Sequence, residues 1–188
     1  MTVFRKDREK YILSLFDKGK SDAMDKLYLE YADYLAGVCE RYLTDGEGIK
    51  DVLQEGFIKI FSGINKFEYR GKGSLKAWLT RIVINECLIH LKREQNLRLA
   101  DTDVETLELA EEPPDTSELT EDEILMLLRQ LPPGYRTVFN LFVIEGRSHK
   151  EIAEILNIKA DTSASQFYRA RNMLANMIKD YIKNKDKR

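Results

Sequence analysis

The sequence predicts an all-α protein with two small helical domains, residues 1–94 and 119–188, joined by an acidic, flexible linker over residues 95–118. Three observations lead to this prediction. Apolar residues recur every three or four positions through several long stretches, which is typical of helices with one buried face. This periodicity is lost after residue 94, where acidic residues gather around Pro113 and Pro114. The charge is also segregated, with net values of +2 for residues 1–94, −10 for residues 95–123 and +6 for residues 124–188.

The composition is that of a soluble globular protein, because 43% of the residues are hydrophobic, which is enough for packed cores. No apolar run approaches the roughly 20 residues that cross a bilayer, and the first residues lack the apolar core of a signal peptide. We therefore expect a cytoplasmic protein without membrane insertion. Cys39 and Cys87 lie in apolar helical patterns without CxxC spacing, so we expect both to pack in the core.

The N-terminal domain is predicted to contain about four helices with short connections. A short amphipathic helix covers residues 4–18 and ends at Gly19. A long helix follows the apolar rhythm over residues 24–42, and the turn TDGEG separates it from a third helix over residues 49–62. The fourth helix covers residues 75–93, which contain no Gly or Pro. Its predicted buried face consists of Leu75, Trp78, Leu79, Ile82 and Ile89.

The loop over residues 66–74 combines aromatic rings with cations. Gly71 and Gly73 leave its backbone free to bend closely around a ligand. Such a loop suits unpaired bases, which stack on rings while their phosphates meet the charges. The aromatic and cationic residues of the loop are Lys66, Phe67, Tyr69, Arg70 and Lys72.

The fourth helix also has a polar side that is able to lie along a nucleic-acid backbone. Its members are separated by seven, four and seven residues, which aligns them on one face. Taken alone, these residues are more typical of a solvated amphipathic helix without a ligand. They are Ser74, Arg81, Asn85 and Lys92.

The third helix carries an outward stripe in which one isoleucine is set among acidic and amide side chains. The isoleucine is either a scattered surface residue or the anchor of a protein contact, and the pattern alone leaves both readings open. The stripe consists of Asp51, Gln54, Glu55 and Ile58.

The C-terminal domain has the pattern of a helix-turn-helix. Thr120 with Glu123, and Ser148 with Glu151, form two capping boxes that begin helices. A helix over residues 135–144 lies between them, and the turn after the second capped helix leads into a final helix over residues 160–182. The small side chain of Ala153 allows the two helices of the motif to approach closely.

The N-terminal part of the final helix is predicted to be exposed and to offer side chains that bond base edges, with Arg171 reaching phosphate. An ordinary helical hairpin is the alternative, although the net positive charge of this half favours nucleic acid. The predicted base-reading residues are Thr162, Ser163, Ser165, Gln166 and Arg169.

The sequence contains no pattern that indicates an enzyme. Its two histidines, His90 and His149, lie outside any HExxH motif, and the chain has neither a glycine-rich phosphate loop nor GxSxG. Both histidines are interpreted as surface or capping residues. We expect no catalytic residue, no metal site and no cofactor.

Four segments, taken in this order, resemble the bacterial sigma factors of the extracytoplasmic-function class, which keep only regions 2 and 4 of the sigma-70 family. The segments cover nearly all of the chain except the linker and the extreme ends. They are DVLQEGFIKIF at residues 51–61, FEYRGKGSLKAWLTRIVINECLIHLKR at 67–93, LPPGYRTVFNLFVIEGRSHKEIAEILNI at 131–158 and SASQFYRARNML at 163–174.

The resemblance implies a transcription initiation factor that binds core RNA polymerase and promoter DNA. By resemblance, the stripe around Ile58 meets the clamp helices of the β′ subunit, and region 4 approaches the β flap. The residues of 162–171 named above correspond to the helix that reads the −35 element. The residues implied for the −10 element and strand opening are Phe67, Tyr69, Arg70, Lys72, Trp78, Arg81, Asn85 and Lys92.

Two expectations accompany the resemblance. Such factors are usually held by an anti-sigma protein, so we expect a partner of this kind. The recognition helix departs from the family pattern, because Ala164 and Gln166 replace common basic residues and Asp161 adds a negative charge. The competing hypothesis is a conventional helix-turn-helix regulator that binds an operator without polymerase.

Overall fold

The structure, a computed structural model, describes residues 7–94 and 116–185. These residues form helices and connecting turns without strands, which confirms the predicted all-α class. The chain divides into two compact units, with the division between His90 and Leu91. Most of the predicted linker lies outside the described residues, so the domain limits at residues 94 and 119 stay a prediction.

The N-terminal unit is built from four helices, as predicted. Asp7 caps the first helix by accepting hydrogen bonds from the amides of Glu9 and Lys10. Asp45 caps the third helix through the amide of Gly48. A short 3-10 turn, Ile64–Lys66, leads from the third helix into the loop. The helices are α1 Arg8–Asp17, α2 Ala23–Glu40, α3 Gly46–Gly63 and α4 Ser74–Arg93.

The core side of α4 differs from the predicted face. Leu75 and Leu79 are fully buried as expected, but Trp78, Ile82 and Ile89 are only partly buried. The helix is apolar over more than one side. Spacing alone therefore predicted a buried face that is rotated about the helix axis from the observed one. The buried apolar residues of α4 within this unit are Leu75, Leu79, Val83, Ile84, Cys87 and Leu88.

The described part of the C-terminal unit, residues 116–185, contains four α-helices around its own core. Both predicted capping boxes are present, and each Ser or Thr hydroxyl accepts the amide of the Glu three residues later. A π-helical turn, Asn140–Ile144, extends the second helix. The helices are α5 Glu121–Arg129, α6 Pro133–Phe139, α7 His149–Leu156 and α8 Ala160–Lys185. Their core cluster comprises Leu127, Leu128, Leu131, Ala170, Leu174 and Ile178.

Cys39 and Cys87 are both buried and free, as expected of core residues. A hydrogen bond with Cys39, together with burial, raises the pKa of the Cys87 thiol. The thiol therefore stays protonated and is a poor nucleophile. Within residues 7–94 and 116–185, no helix is long and apolar enough to cross a membrane.

Candidate nucleic-acid interface

The loop between α3 and α4 presents an aromatic pair. Phe67 packs on Trp78 with ring centroids 5.1 Å apart and an interplanar angle of 43°, and both residues are partly exposed. Gly63 lies under the indole, where an added Cβ would stand 3.2 Å from Trp78 Cζ2. The loop turns through Gly71 and Gly73, whose φ angles of 119° and 91° favour glycine. Phe67 thus packs against Trp78 on one side, while part of its surface stays exposed to a ligand.

Tyr69 is anchored to α1. Its hydroxyl donates a hydrogen bond to the carboxylate of Asp7, and the Nζ of Lys10 lies 5.2 Å from the ring centroid. This hydrogen bond raises the pKa of Tyr69 to about 12, and the same bond is the main cause that lowers the pKa of Asp7. The phenol is therefore neutral and held on one side, although its ring remains partly exposed.

Glu9 is a part of this region that the sequence patterns did not indicate. Its carboxylate is buried and accepts hydrogen bonds from three backbone amides, those of Gly73 at 2.9 Å, Lys76 at 3.2 Å and Leu75 at 3.3 Å. No spacing rule links residues more than 60 positions apart, so the only available signal was an acidic residue in a short helix. The contact joins α1 to the start of α4.

The cations around the aromatic pair are exposed, as predicted. Arg70 and Lys72 project from the loop, and Arg81 and Asn85 are exposed on α4, as is Lys92 near its end. Arg70 also lies 3.4 Å from Glu68, but both side chains are 81% exposed, so this ion pair is weak. Arg70, Lys72 and Arg81 thus present positive charge to solvent.

The stripe on α3 is also exposed. Ile58 is 52% exposed and lies among Asp51, Gln54 and Glu55, which all face solvent. Ile58 therefore lies outside the core of this unit.

The predicted exposure of the base-reading residues on α8 is wrong for three of them. Thr162, Ser163 and Gln166 are 7%, 0% and 2% exposed. Thr162 and Gln166 precede Ala170, Leu174 and Ile178 at intervals of four residues, so helical geometry places them on the core side of α8. Polar residue type suggested exposure, but position on the helix decides it.

Ser163 instead contributes a contact between α7 and α8. Its hydroxyl lies 3.0 Å from Nδ1 of His149, and the imidazole stacks on Phe142 with centroids 4.5 Å apart and planes at 12°. Burial lowers the pKa of His149. The interpretation of His149 as a surface or capping residue is therefore wrong, because its ring belongs to the packing of the helix-turn-helix.

The outward side of α8 carries a different set of residues from the one predicted. Arg171 is exposed as predicted, while Ser165 and Arg169 are partly exposed. The Ser165 hydroxyl donates to the carbonyl of Thr162 at 3.0 Å. Spacing by three and four residues defines this side, and Tyr168 was missed because the prediction considered only hydroxyl, amide and guanidinium side chains. Its members are Asp161, Ala164, Ser165, Tyr168 and Arg171.

No cluster of three or more His, Cys, Asp or Glu residues that could hold a metal ion occurs in the described parts of the chain. The region around Phe67 combines aromatic rings and exposed cations with the carboxylates of Asp7 and Glu9, which are held by hydrogen bonds within the unit. Aromatic rings beside cations are typical of surfaces that bind unpaired bases and phosphates.

Two family models match the chain: Sigma-70 region 2 over residues 27–97 and Sigma-70, region 4 over residues 121–174. The chain is 30% identical over 188 residues to the ECF RNA polymerase sigma-E factor of Escherichia coli K12, covering 93% of this chain and 96% of that protein. It is 29% identical over 186 residues to the RNA polymerase sigma-H factor of Pseudomonas aeruginosa, covering 92% and 94%.

A solved structure of CnrH in complex with the cytosolic domain of CnrY is similar in fold. The two chains align with a TM-score of 0.51 at 20% identity, covering 93% of this chain and 99% of CnrH.

Proposed function

The chain belongs to the extracytoplasmic-function sigma factors, which direct RNA polymerase to promoters, and from this premise we propose how its two units divide the work. The segment from Phe67 to Lys92 captures the unpaired non-template strand of the −10 element. The outward side of α8 contacts the −35 duplex. The α3 stripe around Ile58 contacts the β′ clamp helices, and the C-terminal unit approaches the β flap.

The observation that supports this proposal is the Phe67–Trp78 pair, which is partly exposed and lies among exposed cations. A base that leaves the duplex loses stacking worth a few kcal/mol, and stacking on an aromatic side chain returns roughly 1–3 kcal/mol. Exposed Arg70 and Lys72 lie on the same loop, where they can meet the phosphates on either side of the captured base. Strand opening therefore requires no nucleotide hydrolysis by this chain.

Duplex recognition needs fewer residues of α8 than the sequence predicted. Arg171 reaches phosphate, and Ser165 and Arg169 contribute polar contacts from the partly exposed edge of the helix. Thr162, Ser163 and Gln166 support the helix from its buried side. Direct base reading is correspondingly sparse, and Tyr168 adds an apolar surface for a thymine methyl or a sugar.

The cellular setting belongs to the same proposal. The chain acts in the cytoplasm without a catalytic role of its own, and its domains extend over residues 1–94 and 119–188. A protein partner holds it inactive, as an anti-sigma factor would. The solved structure of CnrH with the cytosolic domain of CnrY supports this view, since a chain of similar fold binds a protein partner there.

In-vitro transcription with core RNA polymerase and genomic DNA fragments tests the proposal. Promoter-dependent transcripts should appear only when the chain is added. Absence of such transcripts from the complete fragment set would contradict it. A clean footprint on a palindromic operator by the chain alone would instead favour a conventional helix-turn-helix regulator.

The polymerase contact is tested separately with Ile58→Ala. We expect about tenfold weaker binding to core polymerase, because an exposed anchor of an interface commonly contributes more than 1 kcal/mol. Tyr11→Ala is the matched control, since Tyr11 is 47% exposed but lies on α1. Equal affinity of the Ile58→Ala variant and the wild type would exclude the α3 stripe as the anchor.

A further inference from the structure

The amides at the start of α4 are satisfied by a residue far away in sequence. Helices leave their first amides without partners inside the helix, and a carboxylate placed there is also favoured by the helix dipole. At α4 this carboxylate comes from Glu9, which accepts from Gly73, Leu75 and Lys76. The local candidate, Ser74, is used otherwise, since its hydroxyl accepts from the amide of Arg70 at 3.2 Å.

Asp7 holds the same loop at a second point. Its carboxylate accepts from the amides of Glu9 at 3.1 Å and Lys10 at 3.3 Å, and from the hydroxyl of Tyr69. One residue thus begins α1 and fixes the phenol of the loop.

A loop fixed at two points loses less conformational entropy on binding a ligand than a free loop does. Ordering one residue's backbone costs about 1–2 kcal/mol, and a loop fixed beforehand avoids that cost at the moment of binding. The loop contains two glycines with positive φ angles, and glycine loses the most freedom on ordering. Without the two carboxylates, the segment from Phe67 to Gly73 would lose its hydrogen bonds to residues 7 and 9, and the DNA would have to order more of it on binding.

We propose that Glu9 and Asp7 of α1 are positioning residues for strand capture. They fix the backbone and the phenol of the loop so that Phe67 meets an unpaired base in one conformation. This inference rests on the proposed function of the loop and extends it to α1, a helix that does not belong to the segment between Phe67 and Lys92. The α1 carboxylates therefore set both the affinity for an unpaired strand and the discrimination between bases.

The test uses full-length chain bound to core RNA polymerase, with random-sequence single-stranded DNA as the probe. Affinity is measured by fluorescence anisotropy, and base preference by sequencing the bound fraction. We expect Glu9→Ala to bind the probe about tenfold more weakly and to lose most of its base preference, because the loop samples several conformations. Affinity for core polymerase and for duplex DNA should stay at the wild-type level.

Conservative variants separate positioning from folding. Glu9→Gln retains an acceptor for the amides and should recover part of the affinity and the base preference, and it carries the test if Glu9→Ala does not fold. Hydrogen exchange at the amides of Gly73, Leu75 and Lys76 should be faster in both variants, and fastest in Glu9→Ala. Asp17→Asn is the matched control, because Asp17 is exposed at the opposite end of α1.

The outcomes are distinct. The proposal is overturned if Glu9→Ala and Glu9→Gln keep wild-type affinity and base preference while Phe67→Ala loses both. If Phe67→Ala also behaves as wild type, the proposed function of the loop falls together with the positioning role. Weaker binding of equal size in Asp17→Asn would likewise overturn the proposal, since the effect would then be one of charge on α1 rather than of contact with the loop.

Discussion

The loop before α4 and the first turns of α8 carry similar residue types but use them differently. Around Phe67 the aromatic and cationic side chains remain at least partly exposed, and buried carboxylate contacts from α1 support them from behind. On α8, three of the predicted reading residues are buried in the unit, whereas Arg171 is exposed. The polar groups of the loop face a candidate ligand surface, whereas most polar groups in the first turns of α8 are packed within the unit.

This difference shows that the residues that hold a binding surface in place need not be the residues that are exposed on it. In the loop, remote residues supply the support, so local residues are free to face a ligand. In the helix-turn-helix, Ser163 and Gln166 are buried in the packing of the unit, so their side chains are not available to contact DNA. The N-terminal unit should therefore tolerate few changes in its displayed residues, whereas the C-terminal unit should show a sharp contrast between the two sides of α8.

The largest expected effect is on the buried side of α8. Gln166→Ala should lower the free energy of unfolding by about 1–3 kcal/mol, because it removes a buried polar side chain from a packed position. Thermal and urea denaturation of the full chain measure this change. Arg171→Ala, on the exposed side of the same helix, is the control and should alter stability by no more than about 0.5 kcal/mol. Equal losses in the two variants would break the contrast between the two sides.

The next effect is on duplex binding. Arg171→Ala should weaken binding of the polymerase complex to duplex promoter DNA by about 1 kcal/mol, with a salt dependence that is shallower by about one unit of slope. The loss should be similar for all duplex sequences, since a phosphate contact carries no base information. A loss confined to one sequence would show that Arg171 reads a base edge instead.

The smallest effect is at the far end of α8, where an ionic contact joins Lys185 to Glu123. Lys185 and Tyr181 each reach Glu123 Oε1 at 2.8 Å, and the hydrogen bond from Lys185 is the main cause that lowers the pKa of Glu123 to about 2. A carboxylate whose pKa falls on folding stabilises the protein above its usual pKa of 4.5 and loses this contribution as the pH falls towards 2. The Lys185 side chain is 46% exposed, and screening by solvent keeps the contribution small.

Comparison with Glu123→Gln isolates this contribution. Above pH 4.5 the variant should melt at a slightly lower temperature than the wild type, and the two melting curves should converge as the pH approaches 2. Thermal melting followed by circular dichroism at a series of pH values measures the difference. A gap that stays constant across this range would show that titration of Glu123 is not its source.

Local signals accounted for most of the fold. The capping boxes at Thr120 and Ser148 and the apolar periodicity of α2 are encoded within a few residues, and the structure confirms each. The face of α4 was predicted less well, because consecutive apolar residues such as Ile82, Val83 and Ile84 fit more than one buried side. Which of these sides of α4 is buried depends on how the helix packs against the other helices.

The candidate site was predictable where residue type and exposure agree. The cations of the loop are exposed as expected, and Phe67 and Trp78 are partly exposed. The buried positions of Thr162 and Gln166 were readable from their spacing to Ala170, but their polarity concealed it. The contact of Glu9 with the amides of Gly73 and Leu75 was not predictable, since it depends on how α1 packs against α4.

The central claim is that the loop opens the promoter while α8 holds the duplex, and permanganate reactivity of unpaired thymines tests it most directly. Reactivity is measured on a promoter bound by polymerase with wild-type, Phe67→Ala or Arg171→Ala chain, and is divided by the occupancy found by footprinting. We predict that Phe67→Ala keeps its occupancy but loses about tenfold of its reactivity per bound complex, in line with one lost stacking contact. Arg171→Ala should lose occupancy and keep reactivity per complex. Wild-type reactivity in Phe67→Ala at equal occupancy would contradict the account.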